Sequence, residues 1–137
     1  MAHFVFTDPF FSHNSVDLSD HVIGMALEYD ADEVEDTSAG DTTHLFLAGG
    51  LLSYTLTVEL AQDLAASEVD VNLFADIGVA RTIIVRNNNS DGISATNPNY
   101  TATMILQSYP PIGASIGDKA VTKAVYSAGT ALSRAEA

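Results

Sequence analysis

The stretch LLSYTLTVEL, residues 51 to 60, alternates without a break: Leu52, Tyr54, Leu56, Val58 and Leu60 fall on one face, Ser53, Thr55, Thr57 and Glu59 on the other. Successive side chains of a strand point to opposite faces, so this pattern specifies a half-buried β-strand and leaves no apolar stripe for a helix. Ile23 to Ala31 repeats it, with Ile23, Met25, Leu27, Tyr29 and Ala31 set against Gly24, Ala26, Glu28 and Asp30. Further strands are expected at 80–86 (ARTIIVR), 100–108 and 119–126, and Tyr29 and Tyr54 are expected to face the core.

One helix is expected, in SEVDVNLFADIG, residues 67 to 78. Ser67 is the natural N-cap, Glu68 and Asp70 suit the positive helix start, and Gly78 closes it. Val69, Leu73, Phe74 and Ile77 then form a stripe that lies over a sheet. Apolar residues make up 47% of the 137 positions, which is enough for a core and excludes a disordered acidic chain despite a net charge of −13. The expected class is mainly β: one domain over 1–137, an antiparallel β-sandwich or flattened barrel with one flanking α-helix. Residues 1–15, carrying Phe4, Phe6, Phe10 and Phe11, are a candidate N-terminal arm.

Charge is divided unevenly. Residues 1–80 hold fifteen acidic residues and no Lys or Arg; residues 81–137 hold three acids and all five bases. Such a field repels phosphate and argues against nucleic-acid binding through a basic patch. The absence of cysteine excludes disulfide scaffolds and thiol chemistry. The first residues lack the pattern of a secretory signal, and no apolar run approaches the roughly 20 residues of a membrane helix, so neither export nor membrane binding is expected.

Seven acids crowd into EYDADEVEDTSAGDTTH, residues 28–44, whose middle, 32–43, is a long hairpin connection between two strands. A connection of that length is usually functional. It fails as an EF-hand: with Asp30 and Asp32 as first ligands, Val34 stands at the third position, Glu35 where Gly is required and Asp41 where the closing Glu belongs. Asp36-Thr37-Ser38 lacks the Gly of an acid-protease turn. His3, His13, His21 and His44 show no zinc spacing, no Gly-x-Ser-x-Gly elbow is present, and Gly49-Gly50 has no phosphate-loop Lys. No enzyme, metal or cofactor signature survives.

Several pieces resemble, in order and spacing, the tail tube proteins of phages with long non-contractile tails, of the kind found in actinobacteriophages. They are VDLSDHV (16–22), AGDTTH (39–44), SYTLTVELAQD (53–63), SEVDVNLFADIG (67–78) and ATNPNYTATMILQSYPPIGASIGD (95–118). Where that family often has a basic residue after Gly-Asp-Thr-Thr and an aromatic after the acid ending the next strand, this chain has His44 and Leu60, so no specific salt bridge is carried over.

The resemblance implies hexameric rings of identical subunits stacked into a tube, with strands of neighbours joined in an inner β-barrel. Tape-measure and other tail proteins would be partners, and DNA would pass through the lumen without specific binding. The location would be the virion tail, reached from the host cytoplasm. Asp32, Glu33, Glu35, Asp36 and Asp41 become candidate inter-ring residues, ordered on stacking by the basic C-terminal half with Arg81, Arg86, Lys119, Lys123 and Arg134. Glu28, Asp30, Thr55, Thr57 and Glu59 become candidate lumen-facing residues, their carboxylates repelling phosphate. The alternatives are another ring-forming tail, connector or secretion-tube protein, or a monomeric β-sandwich binding module.

Overall fold

The computed structural model describes residues 3–136. Along the chain come β1 (Phe10–His13), β2 (Val16–Asp17), a 3-10 turn (Ser19–His21), β3 (Val22–Ala31), β4 (Val34–Glu35), β5 (Phe46–Leu47), β6 (Leu52–Ala61), α1 (Val69–Ala75), β7 (Ala80–Arg86), β8 (Asn99–Ser108), β9 (Val121–Ala128) and β10 (Ser133–Ala135). Eight strands form one antiparallel sheet in the order β2-β1-β7-β8-β9-β6-β3, with β10 beside β8. β4 and β5 form a small sheet of their own.

The large sheet curls over on itself. Phe11 of β1 and Tyr126 of β9 are three strands apart, about 14 Å in a flat sheet, yet their rings lie edge to face with centroids 6.2 Å apart. The enclosed face carries Phe11, Leu56, Val58, Leu60, Ile83, Met104, Leu106 and Tyr126, all fully buried, and α1 adds Val69 and Leu73. The core is thus the inner side of a single bent sheet rather than the gap between two separate ones.

The strand at 80–86, expected from a run that is β-branched on both faces, stands in place, and the alternating strands at 100–108 and β6 stand where the period-2 pattern puts them. The strand expected at 119–126 begins and ends two residues later. β3 departs from its pattern at one end. Val22 pairs with Leu60 but Gly24 with Glu59, a bulge at Ile23 that turns it outward, 49% exposed, while Val22 packs on the core. Tyr29 does share the face of Tyr54, its ring edge-on at 6.4 Å, but it is 52% exposed because it stands on β3, the margin strand of the sheet, whereas Tyr54 opposite it lies on an inner strand.

The helix corrects its expectation more. α1 is seven residues long; Glu68 occupies the N-cap with no side-chain cap bond, and Ser67 sits in the left-handed region at φ 64°. Val69 and Leu73, one turn apart, face the core, whereas Phe74 is rotated to solvent. Ile77 lies beyond the helix, bridged to Leu106. Gly78, at φ +73°, donates its N–H to Leu106 O at 2.8 Å and turns the chain into β7.

Five short strands, β1, β2, β4, β5 and β10, escaped the periodicity altogether, and β1 is the most consequential. It lies inside the candidate N-terminal arm, pairs with β7, and buries Phe11 in its own chain. A two-residue loop with positive φ at Asn14 and Ser15 returns it to β2. Residues 3–7 are exposed.

Candidate assembly surface

Glu28, Asp30, Thr55, Thr57 and Glu59 all stand on the face of the sheet that points away from the core. The β3–β6 register sets Glu28 opposite Thr55, Asp30 opposite Ser53 and Ala26 opposite Thr57; the β6–β9 register continues the rows to Ser127, Val125 and Lys123. Alternation in β6 forces this: its even-numbered residues Tyr54 to Leu60 are buried, so Thr55, Thr57 and Glu59 must look outward. Gln107 extends the same hydroxyl-rich surface, donating to Ser127 Oγ at 2.8 Å. The face carries three carboxylates and the ammonium of Lys123.

This face ends at β3, a ten-residue strand that among the described residues has a sheet neighbour on one side only. Its outer row of backbone groups is a template for another strand. Beyond β3 and β6 the chain continues as a hairpin arm. Asp32 N–H donates to Leu51 O at 2.8 Å, Val34 pairs with Leu47 and Glu35 with Phe46, and Asp36 N–H donates to Leu45 O at 2.7 Å. At the tip Asp41 accepts from Ser38 N–H at 2.7 Å, and Thr37 Oγ1 accepts from Leu45 N–H at 2.9 Å. Asp32, Glu33, Glu35, Asp36 and Asp41 are all exposed on it.

The arm is more apolar than its acidity suggests. Val34, Leu45, Phe46, Leu47, Leu51 and Leu52 are each between 42% and 80% exposed. Apolar exposure on this scale, rimmed by charge, marks a contact surface. Leu45-Phe46-Leu47, directly after the acidic run, is the sequence signal of this apolar surface. Gly50 sets the departure of the arm, since a Cβ there would stand 2.0 Å from the Asp32 carbonyl oxygen.

Of the bases expected to meet the arm, three are engaged locally. Arg81 Nε lies 3.2 Å from Asp76 Oδ1, Arg86 donates to Asn88 O and Asn99 Oδ1 and stacks over Phe10, and Arg134 pairs with Glu136. Lys119 and Lys123 are exposed and make no ion pair among the described residues.

Away from this surface, the core holds one polar relay. His13 Nε2 is 2.7 Å from Asp76 Oδ2 and its Nδ1 is 3.0 Å from Tyr126 Oη. With Nε2–H donating to the carboxylate, Nδ1 accepts the tyrosine proton. Burial holds the His13 pKa below its ordinary value, outweighing the pull of Asp76, and burial raises that of Tyr126. His13 is 1% exposed and Tyr126 fully buried, so no substrate reaches this trio. It clamps β1, β9 and the end of α1 together.

No protein-family model and no curated protein matches the chain. Solved structures do resemble it. A chain in the virion of a native gene transfer agent particle superposes with a TM-score of 0.74 at 16% identity, covering 96% of this chain and 98% of that one. A chain in the tail of an empty gene transfer agent particle, of C6 symmetry, gives 0.65 at 16% identity over 83% and 81%. The Dit protein of phage SPP1, a hub of the adsorption apparatus, gives 0.54 at 12% identity, over 90% of this chain but only 50% of that one. At these identities the likeness is one of fold: a curled antiparallel sheet with a short helix, shared along nearly the whole chain with a protein of a virion.

Proposed function

We propose that this chain is a structural subunit of a phage-like tail, assembling with copies of itself into hexameric rings that stack into a tube. The observation that carries this reading is the open margin of β3, continuous with an exposed apolar and acidic arm. Among the described residues that strand lacks an outer neighbour and the arm lacks a seat, and identical copies supply both. The whole-length likeness to a gene transfer agent virion chain, and to a chain of a tail with sixfold symmetry, supports it.

In such a ring the face bearing Glu28, Asp30, Thr55, Thr57 and Glu59 lines the bore. Carboxylates and hydroxyls there repel or merely hydrate phosphate, so DNA passes without adhering. The arm reaches the next ring, its apolar residues docking and its carboxylates meeting Lys119 or Lys123 of a neighbour. Tape-measure protein fills the bore during assembly. The subunit does no chemistry.

The half-length likeness to the SPP1 Dit hub favours one second reading, a ring that does not stack. Negative-stain microscopy of the purified protein separates the two. Hollow filaments of uniform width with sixfold end views are expected; discrete rings favour the hub. Protein that stays monomeric at high concentration and at every salt overturns both.

A further inference from the structure

At one corner of the molecule the 3-10 turn before β3, the end of β6 and the start of α1 meet, and there His21, Asp63 and Glu68 bring ligand atoms within 4.8 Å of one another. His21 Nε2 lies 2.6 Å from Glu68 Oε2, 3.7 Å from Asp63 Oδ2 and 3.6 Å from Asp20 Oδ1. One ring nitrogen thus faces three carboxylates, and its N–H satisfies one of them. The contrast with His13 is instructive: that ring meets a single carboxylate and has a partner on each nitrogen.

Two details set the cluster apart from a solvated acidic patch. The imidazole is sheltered, 13% exposed against 35% for Asp63 and 36% for Glu68, so its nitrogen is presented from inside the corner. Asp63 is also oriented: its Oδ1 accepts from Ala65 N–H at 2.9 Å, which leaves Oδ2 turned toward His21. A bonded outer oxygen with the inner one free is the arrangement that holds a carboxylate ligand in place. Among the described residues no Lys or Arg pairs with Asp20, Asp63 or Glu68.

We propose that His21, Asp63 and Glu68 bind a divalent transition-metal ion, with Asp20 at the rim. One imidazole nitrogen and two carboxylate oxygens suit Zn²⁺ and its neighbours, which accept three protein ligands and complete the shell with water. Ca²⁺ asks for six to eight oxygens, which this corner does not offer. The ion takes the place of the proton that His21 shares with Glu68, and it ties together segments 42 and 5 residues apart in the chain, 21 to 63 and 63 to 68. The site is structural, and it stands whether or not the chain builds a tube.

The test uses the full chain stripped with a chelator and titrated with Zn²⁺ by calorimetry, with Co²⁺ as a spectroscopic substitute. One ion per chain is expected, with a Tm that rises with free Zn²⁺. Asp63→Asn combined with Glu68→Gln is expected to lower affinity at least about tenfold, the smallest loss that disturbing even a ligand's supporting partners produces, and to abolish the Co²⁺ visible band. Excess Ca²⁺ leaves binding intact. The proposal is overturned if the wild type takes up no stoichiometric ion, if the double variant binds Zn²⁺ as tightly, or if Glu33→Gln, Glu35→Gln and Asp36→Asn on the arm remove the binding instead.

Discussion

Asp76, at the C-terminal end of α1, accepts the hydrogen bond of His13 Nε2 at 2.7 Å inside the core, 63 residues away in the chain. Removing the carboxylate leaves the ring donor without its partner and Arg81 without its counter-charge. Asp76→Ala is expected to destabilise the fold by about 3 kcal/mol, in the range found for breaking buried pairs; urea unfolding followed by tyrosine fluorescence measures it.

The same pair sets a pH dependence. His13 titrates lower in the folded protein than its ordinary value of 6.5, because burial penalises its charged form. The unfolded chain therefore takes up the proton first. The stability His13 contributes is complete above pH 6.5 and is lost as the pH falls toward the depressed folded value. Urea midpoints measured from pH 7.5 to 5 should decline, and His13→Gln should flatten part of that decline. An equal slope in the variant would assign the dependence to other groups.

Helix α1 offers a paired comparison. Leu73 is fully buried and Phe74 is 66% exposed, although both belong to the stripe read from the sequence. Leu73→Ala should cost about 2–5 kcal/mol, while Phe74→Ser should change stability by no more than about 0.5 kcal/mol, as surface substitutions do. Thermal unfolding of the two variants distinguishes the observed helix orientation from the expected one.

The β1–β2 loop holds Ser15 at φ 68°. A left-handed residue with a Cβ carries a penalty of about 1 kcal/mol. Ser15→Gly, which creates an Asn-Gly turn, should stabilise the protein by about that amount, read as a higher urea midpoint with an unchanged m-value.

The arm and the wet face can be tested separately. Gly50→Ala drives a Cβ into the Asp32 carbonyl and should misdirect the arm, abolishing filaments while leaving the monomer's Tm nearly intact; Gly24→Ala, with nothing within 4 Å, is the control. Reversing Glu33, Glu35 and Asp36 to Lys should alter assembly or its salt dependence. Reversing Glu28, Asp30 and Glu59 to Lys should leave filaments able to form but retaining DNA in a pull-down that wild-type filaments fail.

What could be read from the chain and what could not follows a physical division. β6 and β8 are long enough for a period of two to show, β7 is marked instead by β-branched residues on both faces, and β6 also reveals which residues look outward. β2, β4, β5 and β10 have two or three residues, too few to alternate. Ile23 was misplaced because a bulge shifts the phase by one, and nothing local announces it. The pairings of His13 with Asp76 and of His21 with Glu68 join residues that only the folded topology brings together. The acidic residues of the arm were plain in the sequence, but their neighbours Phe46 and Leu47 acquire meaning only once they are seen unburied.

The two margins of the main sheet are unequal: β3 offers ten residues and β2, at the opposite margin, two. A contact that seats β3 against some other part of a neighbour has a giver and a receiver, and repeating it goes round in one sense only. Any closed circle made this way has distinguishable front and back surfaces, so a column of them carries a built-in polarity from its first layer to its last.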